Sequence, residues 1–216
     1  MDGRSAAQYL PGRMSLRGLR EAASRCRGCD LYKDATQTVF GEGRKSARVM
    51  FVGEQPGDSE DRLGRPFVGP AGRVLRDAME RAGIAIGDAY VTNAVKHFKF
   101  VTRGKRRIHK KPRTIEIRAC EPWLEAEMAV VKPAIVVALG ATAAQALLGA
   151  KFRLTPNRGR VLDGLGPAGA VIVTVHPSSI LRAPDSEARH RELAAFEADL
   201  RVVARELDAL AAPADP

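Results

Sequence analysis

The sequence predicts an α/β fold of three layers, α/β/α, with a central, mainly parallel sheet of four strands. Four short runs are largely apolar instead of alternating: SARVMFV (46–52), AYVTNAV (89–95), AIVVAL (134–139) and VIVTV (171–175). Segments with helical periodicity separate these runs. Strands buried on both faces have continuous apolar runs, and helices between successive strands are the usual connections of a parallel sheet.

The elements follow in order along the chain. Apolar residues three and four positions apart predict helices over 71–82, 114–131 and 187–210, with shorter ones over 16–25 and 140–148. Gly83 and Pro133 are stop signals after two of them. We predict a hairpin or irregular crossover over the glycine-rich segment 158–170. Residues 96–113, with Gly104 and Pro112, are predicted to be a loop.

The composition indicates one domain. A chain of 216 residues, 45% of them hydrophobic, buries an ordinary core without disulfides. We assign 1–216 to a single domain with an ordered core over about 14–210 and a basic loop, 101–113, inserted in it. The sequence has neither a transmembrane run nor the apolar centre of a signal peptide, so we expect a cytoplasmic protein with no membrane partner. Three cysteines are then more typical of metal ligands or free thiols than of disulfides.

The formal net charge of +10 is concentrated in one place. Residues 96–113, KHFKFVTRGKRRIHKKPR, contain nine Lys and Arg residues and no acidic residue, and the rest of the chain is nearly neutral. Such a stretch favours a polyanionic partner, nucleic acid first of all. The alternative is a solvated basic loop or a localisation tract. His97 and His109 lie in the same stretch, which makes a purely solvating role less attractive.

A metal or cluster site is indicated by Cys26-x-x-Cys29, with Cys120 far downstream. A fourth ligand would have to be another residue type, and His97 is the candidate by position. A zinc site with the same residues, or a reduced CxxC pair with a buried Cys120, remains open at this level.

Polar residues that follow the predicted strands are candidates for chemistry, because ligands of open α/β sheets bind at the carboxyl ends of the strands. Glu54 could act as a base or stabilise a cation. Asn93 could recognise an amide-like edge, and His176 could stabilise a developing anion. Each also has a plain structural interpretation, as a turn, cap or hydrogen-bonding residue.

Five motifs in a fixed order are more specific than any of these residues alone. They are GEQPG (53–57), GRPFVGPAG (64–72), VTN (91–93), LGATAA (139–144) and HPSSILR (176–182). The pattern resembles the uracil-DNA glycosylase superfamily, in particular its family-4 iron–sulfur branch, from about Cys26 to about Arg201. The chain departs from the family-4 pattern in two places: His97 stands where that pattern has a cysteine soon after the Asn motif, and an insertion with KRRIH (105–109) precedes Cys120. GEQPG with Gln55, together with KRRIH, resembles the UdgX group, whose members become cross-linked to uracil-containing DNA.

The resemblance implies a 4Fe-4S cluster and a uracil pocket. The cluster ligands would be Cys26, Cys29, His97 and Cys120. The uracil-binding residues would be Phe67 by stacking, Asn93 by hydrogen bonds, and Gln55 through the backbone around it.

The resemblance also implies catalytic and DNA-contacting residues. His176 would stabilise charge on the departing uracil, and Glu54 matches the acidic residue that activates water in related glycosylases. Arg107 would hold the basic loop closed. The remaining DNA or loop residues would be Lys105, Arg106 and Ser178.

The expected function is excision of uracil from DNA by an N-glycosylase that then forms a covalent adduct. His109 would capture C1′ of the sugar, with Glu54 orienting it or accepting its proton. The partners would be uracil-containing DNA, preferably single-stranded, with free uracil as product and a monomeric protein. The alternatives are a conventional multiple-turnover family-4 enzyme in which His109 only contacts phosphate, a non-catalytic damaged-DNA binder, and a zinc-bound nucleic-acid protein.

Overall fold

A six-stranded sheet lies at the centre of the computed structural model, which describes residues 5–210. The strands of the chain are β1 (Glu42–Gly43), β2 (Val49–Gly53), β3 (Ala89–Asn93), β4 (Phe100–Arg103), β5 (Arg106–His109), β6 (Ile135–Leu139), β7 (Val161–Asp163) and β8 (Ala170–Thr174). The α-helices are α1 (Leu16–Ala23), α2 (Asp58–Leu63), α3 (Pro70–Arg81), α4 (Thr114–Val131), α5 (Ala141–Leu148), α6 (Pro177–Leu181) and α7 (Ser186–Ala209). The first and last residues of the predicted domain, 1–4 and 211–216, lie outside the described residues.

The central sheet confirms the predicted α/β class but has two strands more than predicted. Its order is β1-β3-β2-β6-β8-β7, and the four predicted strands β3, β2, β6 and β8 are mutually parallel. The short strands β1 and β7 add antiparallel edges. These edge strands have two and three residues, too few for an apolar pattern to appear in the sequence.

Both faces of the sheet are covered, as continuous apolar strands require. In β2, Val49 and Phe51 point to the face packed by α3 and α7, while Met50 and Val52 point to the face packed by α4 and α5. Every residue of the four parallel strands except Val91 is buried. A third apolar cluster, between α1 and α4, contains the three cysteines.

The basic segment 96–113 was predicted as a loop, but it contains the antiparallel hairpin of β4 and β5. Gly104 and Lys105 form a two-residue connection between Arg103 and Arg106, and Gly104 has a φ of 58°. A glycine of positive φ at the first central position is typical of tight hairpin turns. Because basic residues dominate this segment, its two four-residue strands were not recognisable in the sequence. Within residues 5–210, no helix has the length and apolar character to cross a membrane.

Candidate active site

A cavity of about 910 Å³ lies at the carboxyl ends of the parallel strands, where open α/β sheets bind ligands. It is lined from the segments after β2, β3, β6 and β8 and from the hairpin. The predicted site residues that line it are Glu54, Gln55, Phe67, Asn93, His109, His176 and Ser178. Lys105 and Arg106 are exposed at the hairpin turn, and the candidate metal ligands form a separate group.

The hairpin places His109 against Glu54. Nε2 of His109 lies 3.2 Å from Oε1 of Glu54, and Thr142 donates a hydrogen bond to Oε2 of the same carboxylate. Burial acts to raise the pKa of Glu54, but the hydrogen bonds from His109 and Thr142 outweigh it, so the pKa is lowered. Glu54 is therefore an ionised carboxylate inside the cavity, while the side chain of His109 is half exposed at its mouth.

His176 is held as a neutral imidazole with a defined tautomer. Its Nδ1 accepts the backbone N–H of Ser178, at 3.2 Å, and lies 2.8 Å from Oγ of Ser178. Burial lowers the pKa of His176 to about 4. Since Nδ1 is an acceptor, the single ring proton of the neutral form is on Nε2, which makes Nε2–H a donor.

Phe67 forms a wall of the cavity in a strained backbone conformation. Its φ is 53°, in the left-handed region, and its ring is stacked 6.1 Å from the ring of His176. The carbonyl of Phe67 accepts from Arg76, and a Cβ at position 72 would lie 1.7 Å from that carbonyl oxygen, so only Gly72 fits. A non-glycine residue in this region costs about 1–3 kcal/mol and is characteristic of functional sites.

Asn93 ends β3 and is buried beside the cavity. Among the residues described, its side-chain amide has no hydrogen-bond partner. A Cβ at Gly53 would lie 2.4 Å from Oδ1 of Asn93 and 2.8 Å from the ring of Phe67. Gly53 therefore allows the amide and the ring to approach the end of β2.

Glu60 connects two of the glycine-containing motifs around the cavity. Its carboxylate accepts the backbone N–H of Gly57 at 3.1 Å and that of Gly69 at 2.8 Å. These contacts link the GEQPG segment to the segment that contains Phe67. Glu60 was not among the predicted site residues.

The side chain of Gln55 is used to hold the base of the hairpin. Its Nε2 donates to the carbonyl oxygens of Lys99 and Lys110, and its Oε1 accepts the N–H of Lys99. Because both ends of the amide are engaged, only the backbone of Gln55 is available to contact a nucleobase.

Arg107 anchors the other end of the hairpin to α2. Its guanidinium donates to Asp58 and, at 2.6 Å, to Asp61, whose side chain is fully buried. It also lies over the rings of Phe98 and Phe100, at 5.4 and 4.9 Å. Asp58 and Asp61 were not predicted as site residues. Their spacing on one helix turn directly after GEQPG was the available signal.

The three cysteines converge between α1 and α4, and all of them are buried. Sγ of Cys26 accepts from the N–H of Gly28 and from Nε1 of Trp123, and Sγ of Cys120 accepts the N–H of Lys96. Burial raises the pKa of the Cys120 thiol to about 12. Over residues 5–210, no three His, Cys, Asp or Glu side chains are grouped closely enough for a single metal ion.

His97 is oriented by Thr38. The hydroxyl of Thr38 donates to the carbonyl of Ala23, and its Oγ1 lies 2.9 Å from Nε2 of His97. Because the one hydroxyl proton is already used, Thr38 accepts from Nε2–H, and the lone pair of the neutral ring is on Nδ1. Burial lowers the pKa of His97 to about 4. A ring nitrogen whose partner N–H is fixed in this way is typical of metal-binding histidines. Cysteine and histidine are also the residue types that bind iron–sulfur clusters, so the chemistry of the four side chains suits such a group.

A buried ion pair lies between Asn93 and the cysteine group. Nζ of Lys96 contacts Glu127 and donates at 2.7 Å to the carbonyl oxygen of Asn93 and to Oγ1 of Thr92. Glu127 also accepts from Tyr90. Such a network, with its polar groups satisfied, holds the end of β3 in place.

Comparison with known proteins shows the family to which this chain belongs. Residues 40–201 match the model of the family described as the uracil DNA glycosylase superfamily. The type-4 uracil-DNA glycosylase of Thermotoga maritima is 39% identical over 170 residues, which cover 78% of this chain and 84% of that protein. The type-4 uracil-DNA glycosylase of Pyrobaculum aerophilum is 37% identical over 177 residues, which cover 79% of this chain and 87% of that protein. The type-5 uracil-DNA glycosylase of Thermus thermophilus is 34% identical over 125 residues, about half of each protein. This chain therefore belongs to the uracil-DNA glycosylase superfamily.

Proposed function

We propose that this protein excises uracil from DNA and is then joined through His109 to C1′ of the abasic sugar, so that each molecule acts once. Family membership and the named activity of the type-4 relatives support the excision. The resemblance to the UdgX group suggests the covalent step. The observation that carries it is the position of His109, whose Nε2 lies 3.2 Å from Glu54 within the same cavity as Phe67 and Asn93.

The cavity suits a nucleotide that has left the base stack, as base-excising enzymes require. The ring of Phe67 offers a stacking surface for uracil. The free amide of Asn93 presents one donor and one acceptor, which complement the O4 and N3–H of uracil. The buried ion pair of Lys96 and Glu127 keeps the backbone of Asn93 in place for this contact.

Cleavage separates charge across the N-glycosidic bond. As the C1′–N1 bond breaks, its electron pair leaves with uracil, and C1′ becomes positive. Nε2–H of His176 can donate to O2 of the departing uracil anion, and the carboxylate of Glu54 faces the positive sugar. Uracil then takes up a proton from solvent and departs as the free base.

Capture of the sugar follows from proximity. An unprotonated ring nitrogen of His109 gives its electron pair to C1′, and the resulting imidazolium loses its remaining N–H proton to Glu54 or to water. A tethered nucleophile next to the cation has a large advantage over water. No later step of the reaction breaks the bond between C1′ and the imidazole, which accounts for single turnover.

Cys26, Cys29, Cys120 and Nδ1 of His97 would hold the 4Fe-4S cluster. Bound there, the cluster would supply a structural crosslink. The ligands join the segment after α1 to α4 and to the segment that follows Asn93. Iron, not zinc, in the purified protein would support this assignment.

We further propose that the protein acts as a cytoplasmic monomer on single-stranded DNA in preference to duplex. A single strand avoids the cost of unpairing the target base. The exposed cations of the hairpin suit the phosphate backbone, which positions the strand while the cavity selects the base.

The experiment is a reaction of the protein with a several-fold excess of a labelled single-stranded oligonucleotide that contains one deoxyuridine, with a thymidine oligonucleotide as control. We expect uracil release to stop at about one per protein, together with a slow-migrating band on a denaturing gel. Continued release with free abasic product would support the conventional glycosylase instead. Binding without release would support the damaged-DNA binder.

A further inference from the structure

We propose that the outer face of the β4–β5 hairpin is a contact surface for the nucleobase that adjoins the extruded deoxyuridine. This inference rests on the proposed function. The surface consists of Val101 and Ile108, with Arg103 and Arg106 beside them. In the hairpin, Val101 is directly opposite Ile108, and Arg103 is opposite Arg106. Because side chains alternate between the faces of a strand, these four residues share one face.

The two faces of the hairpin differ sharply. The inner face contacts the rest of the protein, since Arg107 binds α2 and lies over Phe98 and Phe100, while His109 contacts Glu54. On the outer face, Val101 is 39% and Ile108 is 40% exposed. Two adjacent β-branched side chains on this face form an apolar patch that the described part of the chain covers only in part.

The charges around this patch suit nucleic acid. Arg103, Lys105, Arg106, Lys110 and Lys111 are all exposed, and within residues 5–210 none of them forms an ion pair. A partner that offers apolar surface between closely spaced negative charges is a single strand of DNA, with its bases and phosphates. Aliphatic side chains pack between or against unstacked bases in many DNA complexes, and arginine stacks on bases as well.

The position of the patch determines which nucleotide of the strand it contacts. Ile108 lines the cavity beside His109, so the patch starts at the mouth of the cavity. When a nucleotide turns into the cavity, the next base of the strand loses its stacking partner at that same mouth. The side chains of Ile108 and Val101 replace the lost stacking contact. They also place the strand so that C1′ of the extruded nucleotide comes near His109.

The test is a double-mutant cycle between protein and DNA. The protein variant is V101S/I108S, which keeps every charge, and the matched control is Ile86→Ser, an exposed isoleucine before β3 at the opposite end of the sheet. The DNA is a single strand with a non-cleavable 2′-fluoro-deoxyuridine, and the base on its 5′ or 3′ side is replaced by an abasic spacer. Affinity is measured over a range of salt concentrations.

We expect V101S/I108S to bind the intact strand about five- to tenfold more weakly, with an unchanged salt slope, because no phosphate contact is lost. One of the two spacer strands should bind wild type and V101S/I108S equally, and Ile86→Ser should behave as wild type. An equal loss on all strands would overturn the proposal. So would self-association of the wild-type protein that V101S/I108S abolishes without any coupling to a neighbouring base. A parallel assay of wild type with the cleavable deoxyuridine strand distinguishes the two proposals, because failure to release uracil there would refute the proposed function instead.

Discussion

Nε2 of His109 lies 3.2 Å from Oε1 of Glu54, although the two residues belong to elements far apart in the chain. Glu54 follows β2 of the central sheet, and His109 ends β5 of the basic hairpin. Thr142, at the start of α5, holds the second oxygen of the carboxylate. The arrangement fixes an ionised carboxylate against the imidazole that we propose as nucleophile.

Thr142→Val should slow single-turnover uracil release at neutral pH by about tenfold, because a hydrogen bond to a charged group contributes about 1.5–3 kcal/mol. It should also move the acid limb of the pH profile. The native pKa of Glu54 is lowered, so the reactive carboxylate is present above that pKa and is lost as the pH falls through it. Without Thr142 the pKa rises, and activity should disappear at a higher pH. An acid limb at the wild-type position in Thr142→Val would contradict this role.

His176 should remain neutral, with its proton on Nε2, from pH 8 down to about pH 5. The reason is burial, which lowers its pKa to about 4, together with the N–H of Ser178 on Nδ1. Nitrogen-15 NMR of labelled protein measures both the tautomer and the titration. A midpoint near the ordinary value of 6.5, or a proton on Nδ1, would show that the assigned donor is wrong.

Arg107→Ala should shift the products from adduct toward free abasic DNA, because the hairpin that carries His109 loses its anchor on α2. We expect the adduct formed per uracil released to fall by about tenfold, a change typical of a displaced catalytic group. The neighbouring Arg106→Ala is the matched control. Arg106 is exposed, so its loss should weaken DNA affinity and reduce the salt slope by about 1 while leaving the product ratio unchanged.

Arg107→Ala also leaves the carboxylate of Asp61 buried without this partner, which costs about 3–5 kcal/mol in typical cases. The double variant R107A/D61N removes the unpaired charge, and its Tm should recover part of the loss. If the product ratio recovered fully with the Tm, the effect of Arg107 would be on stability and not on the placement of His109.

Thr38→Val should make the proposed cluster more labile, because Nε2–H of His97 loses its acceptor and the ring is no longer oriented. Loss of such a supporting contact typically costs about 10–100-fold in metal affinity. The measurements are iron per protein and the decay of visible absorbance in air. Thr38→Ser retains the hydroxyl and should behave as wild type. Equal iron content and decay in all three proteins would exclude this role of Thr38.

The parts of the fold that depend on continuous apolar runs could be predicted from the sequence. The four parallel strands are buried on both faces, and their residue types show it directly. The edge strand β1 could not be predicted, because pairing with β3, and not its own two residues, makes it a strand. The segment 158–170 was predicted as a hairpin or irregular crossover, and β7 pairs antiparallel with β8 there as one arm of a hairpin. The β4–β5 hairpin was not predicted because the many basic residues of the segment indicated a loop. Gly104, which has a positive φ, was the one signal of a tight turn.

The candidate site was predictable in its residue types but not in its supporting contacts. Their position after predicted strands identified Glu54, Asn93 and His176 as candidates, and the structure places all three in one cavity. The contacts of Gln55 with the backbone of the hairpin could not be predicted, because they join segments more than forty positions apart. Contacts of this kind depend on the folded chain and leave no local pattern.

The covalent role of His109 is best tested by counting the uracil released per protein molecule for wild type and for His109→Ser, with the adduct followed on the same denaturing gel. We predict a wild-type plateau at about one uracil per protein with an adduct. We also predict that His109→Ser, which admits water to the vacated space, releases several uracils per protein and forms no adduct. A stable adduct with His109→Ser, or multiple turnover by the wild-type protein, would contradict this role.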